Sequence, residues 1–191
     1  MTRPNPAVET SRVHRFKLED VLRMQAVGIL DNADRLELID GLLLERPSET
    51  LAQTRMKAQL LRGLFAAAGD DINVIAGETL KLSPYNAPMP AFFLYDAEES
   101  LSSVDALTVG LVIDIATHGL ASQSTTRAEL YAHHGVRDYW VVDPDHRVTA
   151  VHRRPVEGRY REISAHGADD SVQALVLPAL SLRLTHLKPI L

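Results

Sequence analysis

From Phe16 onward the chain alternates short apolar runs with turn residues, and the period of those runs predicts most of its elements. Phe16, Val21, Leu22 and Met24 recur near helical spacing before Gly28, which predicts a short helix over 16–28. Leu36-Glu37-Leu38-Ile39 and Leu42-Leu43-Leu44 flank Asp40-Gly41, a dipeptide that accepts positive φ, so a two-stranded hairpin is expected there. Leu51, Met56, Leu60, Leu61, Leu64 and Phe65 mark the apolar face of a long helix ending near Gly69, with Ser48 and Thr50 as rival N-caps. Strands are expected at 72–76, 92–95 and 111–115, interrupted by the proline-rich segment 83–90. Ser122 and Ser124 can cap a second long helix that runs to His134 and stops at Gly135. A strand over 139–142 then meets the turn Asp143-Pro144-Asp145, a meander follows at 148–152 and 160–163, and strands at 175–177 and 180–184 close the chain. Mixed strands with two main helices predict an α/β (α+β) architecture, a central mixed β-sheet flanked by α-helices. Neither G-x-G-x-x-G nor G-x-x-x-x-G-K-[ST] occurs, which argues against a nucleotide-binding fold.

At 191 residues the chain fits a single domain over 15–191, preceded by a flexible lead-in over 1–14 that carries Pro4 and Pro6. No apolar run reaches the ~18 residues of a membrane span, and nothing like a signal-peptide core follows Arg3, so a cytoplasmic protein is expected. The absence of cysteine removes disulfides, thiolate ligands and cysteine nucleophiles, leaving His, Asp and Glu as the ligands for any metal. A net charge of −5 disfavours non-specific polyanion binding. The one local candidate for phosphate contact is His152-Arg153-Arg154 with Arg159 and Arg161, around a turn at Glu157-Gly158, and a solvated hairpin face is the simpler reading of it.

Two segments carry a specific resemblance. Arg35-Leu36-Glu37-Leu38-Ile39-Asp40-Gly41 and the run from Leu130 through Tyr131, Gly135, Tyr139 and Trp140 to Pro144 resemble the Uma-two family, bacterial proteins with the restriction-endonuclease-like fold of the PD-(D/E)xK nucleases. The resemblance extends from about Phe16 to Leu184 and implies a Mg²⁺-dependent phosphodiester hydrolase acting on nucleic acid. Mg²⁺ is a hard cation that takes oxygen ligands, so such a site needs carboxylates on neighbouring strands, with a lysine near the reacting phosphate.

Carried over residue by residue, the family pattern keeps its first acid as Glu37, and its third acid, usually Glu, becomes Asp114. The second acid, from a Pro-Asp pair, falls at Ala91 in Pro90-Ala91, and a methyl group ligates nothing. The lysine four residues before the tyrosine becomes Arg127, which stays protonated and cannot act as a base. A histidine of the long helix becomes Gln53. The resemblance thus implies metal ligation by Glu37 and Asp114 at most, weak or absent Mg²⁺, and a degenerate site. Asp96 is the nearest acid that could replace the one missing at Ala91, but strand alternation puts it on the opposite face.

Each retained residue also has a structural reading. Asp114 lies in an apolar strand and needs a partner, so an Asp114–Arg127 ion pair competes with a working site. Trp140 is expected in the core. His118 is a polar residue near the same pocket, and the adjacent His133 and His134 point in different directions on their helix. No H-E-x-x-H or G-x-S-x-G is present. Three functions follow: a nuclease-fold interaction or nucleic-acid-sensing module with a decayed site, a Mg²⁺-dependent DNA endonuclease with a rearranged one, or a homodimeric structural partner protein.

Overall fold

The computed structural model describes residues 13–30, 35–116 and 120–190. The expected lead-in up to residue 12 and His118 lie outside the described residues. The first helix, α1 (Leu18–Ala26), starts where Asp20 Oδ2 accepts the amide of Lys17 at 2.9 Å. It buries Val21 against Leu38 and Ala87. Strands β1 (Leu36–Ile39) and β2 (Leu42–Glu45) form the expected hairpin, with Asp40 and Gly41 at φ 49° and 74° as its turn demands. The hairpin is a sheet of its own, fastened to the proline-rich segment by a bridge between Leu38 and Ala87 and by Asn86, whose Oδ1 accepts the amide of Asp40 at 2.8 Å.

Helix α2 (Leu51–Ala68) follows, and its cap is Thr50. The main sheet has six strands in chain order: β3 (Ile72–Ala76), β4 (Phe92–Asp96), β5 (Leu111–Ile115), β6 (Asp138–Asp143), β7 (Val148–Val156) and β8 (Arg159–His166). All neighbours are antiparallel except β5 and β6, which run parallel because helix α3 (Leu120–His133) carries the chain back between them. The architecture is the expected mixed α+β sandwich.

Period-two alternation distributes the side chains between two cores. On one face, Met56, Leu60 and Leu64 of α2 pack on Phe92, Leu111, Ile113, Trp140 and Val142; on the other, Ala128, Tyr131 and Ala132 of α3 pack on Phe93, Val112, Tyr139 and Val141. Fully burying such a side chain contributes about 1.5–3 kcal/mol, so both helices are held by packing rather than by propensity. Trp140 is fully buried, as expected, and its indole donates to Asp138 Oδ1 at 2.9 Å. Continuing the alternation of β5 past Val112 turns Asp114 toward α3.

Two expectations need correction. Helix α3 begins at Leu120, so Ser122 and Ser124 lie within it rather than at its cap; Leu120 and Ala121 are strong helix formers and extend the helix upstream of both serines. The apolar run 175–177 is not a strand: the closing pair is β9 (Val172–Gln173) with β10 (Ser181–Leu182). Between them the chain turns around Pro178, with the Leu180 amide donating to Leu177 O at 2.8 Å, and Leu177 plugs the core against Gly110. Among the described residues no helix is long and apolar enough to cross a membrane.

Candidate functional site

At the end of β5, the hairpin, the start of α2 and the middle of α3 enclose a pocket of about 210 Å³ bordered by Glu37, Arg46, Gln53, Ala91, Asp114 and Arg127. Every residue singled out by the family pattern therefore reaches one place. How they meet there differs from a metal centre.

Arg127 lies between the two acids. Its Nη1 donates to Glu37 Oε2 at 2.8 Å and Oε1 at 3.1 Å, while its Nε donates to Asp114 Oδ2 at 2.7 Å. Its Nη2 donates to the Tyr131 hydroxyl at 3.1 Å, an i,i+4 neighbour on the same face of α3. Burial works against the charge of this guanidinium, but Asp114 and then Tyr131 and Glu37 more than offset it and hold its pKa above the ordinary arginine range. Arg127 is thus a permanent cation in a half-enclosed setting.

The acids are satisfied from other sides as well. Glu37 Oε1 accepts the amide of Met89 at 3.0 Å and lies 3.5 Å from Arg46 Nε, at the pocket mouth. Asp114 Oδ2 accepts the Tyr139 hydroxyl at 3.0 Å, and Oδ1 accepts the amide of Ala91 at 3.3 Å. Burial first and Asp114 second push the Tyr139 hydroxyl pKa well up, which keeps it a neutral donor. Sequence reasoning missed Tyr131, Tyr139, Arg46 and the Met89 amide. The spacing of Tyr131 from Arg127 was a signal for the first, whereas the Met89 amide depends on a long loop that no pattern specifies.

Ala91 stands immediately before β4. The β4–β5 register pairs Phe92 with Ile113, and carrying it one residue further sets Ala91 opposite Asp114. The two positions that the resemblance matches to a second and a third acid are therefore neighbours across the ladder. Asp96 is at the other end of β4, exposed and paired in register with Ile72, with Oδ1 taken by the amide of Glu98. Five residues of strand, on the order of 16 Å, separate it from Ala91.

Gln53 is spent on structure. Its Oε1 accepts the amide of Thr50 at 2.8 Å and its own amide donates to Thr50 Oγ1 at 3.3 Å, closing a reciprocal capping box, while its Nε2 donates to Ala116 O at 3.2 Å. It ties the first turn of α2 to the end of β5 and leaves little to offer a ligand.

The remaining candidates do not assemble a second site. Arg153 pairs with the buried Asp138, while Arg154, Arg159 and Arg161 lie near Glu162, Glu129 and Glu157 in exposed, weak pairs on the solvated hairpin face. His152 is buried between the rings of Tyr139 and Tyr160. His133 and His134 meet edge to face at 5.3 Å, one exposed and the other half-buried.

Mg²⁺ or Mn²⁺ would need about six oxygen donors. Among the described residues no three His, Asp or Glu side chains gather to supply them. Glu37 and Asp114 are both turned onto a guanidinium that fills the space between them, and Ala91 adds a methyl. The residues present do not fit a divalent ion while Arg127 is in place.

The chain matches the model of the Uma2 family, described as "putative restriction endonuclease", over residues 18–185. It is also similar to the crystal structure of a "putative nuclease belonging to DUF820" from Anabaena variabilis, with a TM-score of 0.68 and 14% identity over 90% of this chain and 97% of that one. At this identity the likeness establishes the fold, which is restriction-endonuclease-like. No curated protein matches the sequence.

Proposed function

Since the chain belongs to the Uma2 family, we propose that it is a nuclease-fold protein whose metal-dependent hydrolytic site has decayed and which serves as an interaction or nucleic-acid-sensing module. One observation carries this reading: Arg127 binds Glu37 and Asp114 at once, at 2.8 and 2.7 Å, in the space where a nuclease of this fold would hold its metal. The loss of one acid at Ala91 works in the same direction. A metal supplies such enzymes with a polarised phosphate and an activated water. Here Arg127 can neutralise charge but cannot accept a proton, and Tyr131 and Tyr139 are held in their neutral forms.

What the site can still do is hold an anion weakly at its mouth. Arg46 is three-quarters buried and lies 3.5 Å from Glu37, a looser contact than either of those made by Arg127, while Glu45 and Glu49 border the same pocket and keep any anion binding weak. A phosphate of a nucleic acid is the partner that family membership suggests. The rival reading, an active endonuclease rebuilt around Asp96, lacks support because that residue lies at the far end of its strand.

The experiment is a plasmid-nicking and single-strand cleavage assay with Mg²⁺ and Mn²⁺, run beside a gel-shift titration. The expected result is no metal-dependent cleavage, with any binding lost on Arg46→Ala. Losing a single electrostatic stabiliser commonly costs roughly 10²–10³ in rate, and here more than one is changed. Robust cleavage abolished by Asp114→Ala would overturn the proposal.

A further inference from the structure

We propose that Arg127 is a resident counter-ion, so that the pocket is a cation site filled from within, and that removing this side chain opens it to an external divalent metal or a small guanidinium. The inference rests on the reading of the site as decayed, and it gives the exchanged lysine position a present function in place of a vestigial one.

The argument starts from accessibility and charge. The Glu37 and Asp114 side chains are 8% and 13% exposed, and two carboxylates so enclosed need a cation between them. Arg127 meets that need from α3, the helix that Asp114 faces, with Nη1 on Glu37, Nε on Asp114 and Nη2 on Tyr131 and, at 3.5 Å, on Asp114 Oδ1. The fork geometry matters: a lysine could reach only as a point charge, whereas the planar guanidinium serves both acids in fixed directions. Backbone amides of Met89 and Ala91 and the Tyr139 hydroxyl hold the carboxylates in position independently of Arg127. Without the guanidinium those donors would still present oxygen atoms of Glu37 and Asp114 to the vacated space, beside a pocket already open to solvent. A hard divalent ion or a free guanidinium is the chemistry that matches it.

Thermal melts of the full chain test this with EDTA, with millimolar MnCl₂ and with millimolar methylguanidinium. The parent should melt at one temperature in all three, because its site is filled. Arg127→Met should melt several degrees lower in EDTA and recover at least half of that loss with either cation, since a ligand bound only by the folded state stabilises it by mass action. The triple variant Glu37→Gln, Asp114→Asn, Arg127→Met removes both acids together with the cation between them and leaves only Arg46, at the solvent-open side, without its partner, so it should melt closer to the parent than Arg127→Met does and ignore both cations. A parent stabilised by Mn²⁺, or a folded Arg127→Met that ignores both cations, overturns the proposal. If Arg127→Met does not fold, the triple variant decides: folded, it supports the counter-ion role; unfolded, it overturns it. Metal-dependent cleavage by a parent whose melting ignores Mn²⁺ would instead refute the decayed-site reading and leave the counter-ion in place.

Discussion

The backbone amide of Ala91 donates to Oδ1 of Asp114 at 3.3 Å, so the position that the family pattern matches to a second acid is hydrogen-bonded to the one it matches to the third. The two are adjacent across β4 and β5, and that adjacency is what an added ligand would exploit.

Ala91→Asp should lower stability in the absence of metal, because a second carboxylate beside Asp114 in a buried position meets like charge; a loss of more than ~1 kcal/mol is expected in urea titration. Combined with Arg127→Lys, which gives up the two-acid fork, it should bind Mn²⁺ in a calorimetric titration. The single Ala91→Asp variant should bind more weakly than the double, since the fork still competes for both acids. A double variant with no more affinity than the parent would mean that the pocket lacks ligand geometry as well as ligands.

The convergence of Glu37, Asp114 and Arg127 was expected from the family resemblance, which could be placed on this chain because each residue sits in a segment of strong local pattern: a turn-defined hairpin, an apolar strand and a helix with a tyrosine four residues on. What the guanidinium does there was legible only in part. The ion pair to Asp114 follows from the cost of an unpaired acid in an apolar strand. Its second bond, to Glu37, spans 90 positions of sequence and depends on how the hairpin docks. The capping box of Gln53 was likewise not foreseen, because the resemblance marked that position only as a replaced histidine and a side-chain cap is a local choice. The run at 175–177 misled because apolar residues do not by themselves make a strand: Leu175 is exposed, and only Leu177 reaches the core, from a loop.

Asp138 anchors the C-terminal segment to the sheet. It is fully buried and accepts from Trp140 Nε1, from Arg153 Nε at 2.9 Å and from the amide of Leu175 at 2.7 Å. Asp138→Ala should cost roughly 3–5 kcal/mol, because it strands Arg153 and the indole together. Equilibrium unfolding followed by the fluorescence of Trp140, the only tryptophan, measures this directly.

Stability should fall on the acid side partly through His152. Burial, the largest influence, holds its pKa below 6.5, so the folded state disfavours the proton that the unfolded chain accepts. This contribution is fully present above pH 6.5 and erodes as pH drops through that value toward the lower folded pKa. His152→Phe should flatten the melting-temperature profile below neutrality, and an unchanged slope would assign the acid sensitivity to other groups.

Thr50→Ala should destabilise by ~1 kcal/mol, the usual worth of an N-cap. Gln53→Ala should cost more, because it removes the other half of the box and the bond to Ala116 O together. The comparison by urea titration tests whether Gln53 is a structural residue; equal losses would mean that its link to β5 contributes nothing.

The β1–β2 hairpin shares no ladder with the six-stranded sheet; its bridge from Leu38 to Ala87 and the bonds of Asp40 and Gly41 fasten it to the proline-rich segment, and Glu37 ties it to Arg127. A unit so attached can open on its own. Its amides should exchange with deuterium through a local fluctuation of lower free energy than the global unfolding that releases β4, β5 and β6. Because Glu37 travels with the hairpin, each such opening separates one acid from Arg127 while Asp114 stays paired. The stability of the ion network therefore sets the frequency at which the pocket is uncovered, and raising salt should quicken exchange in the hairpin while leaving the central strands unchanged.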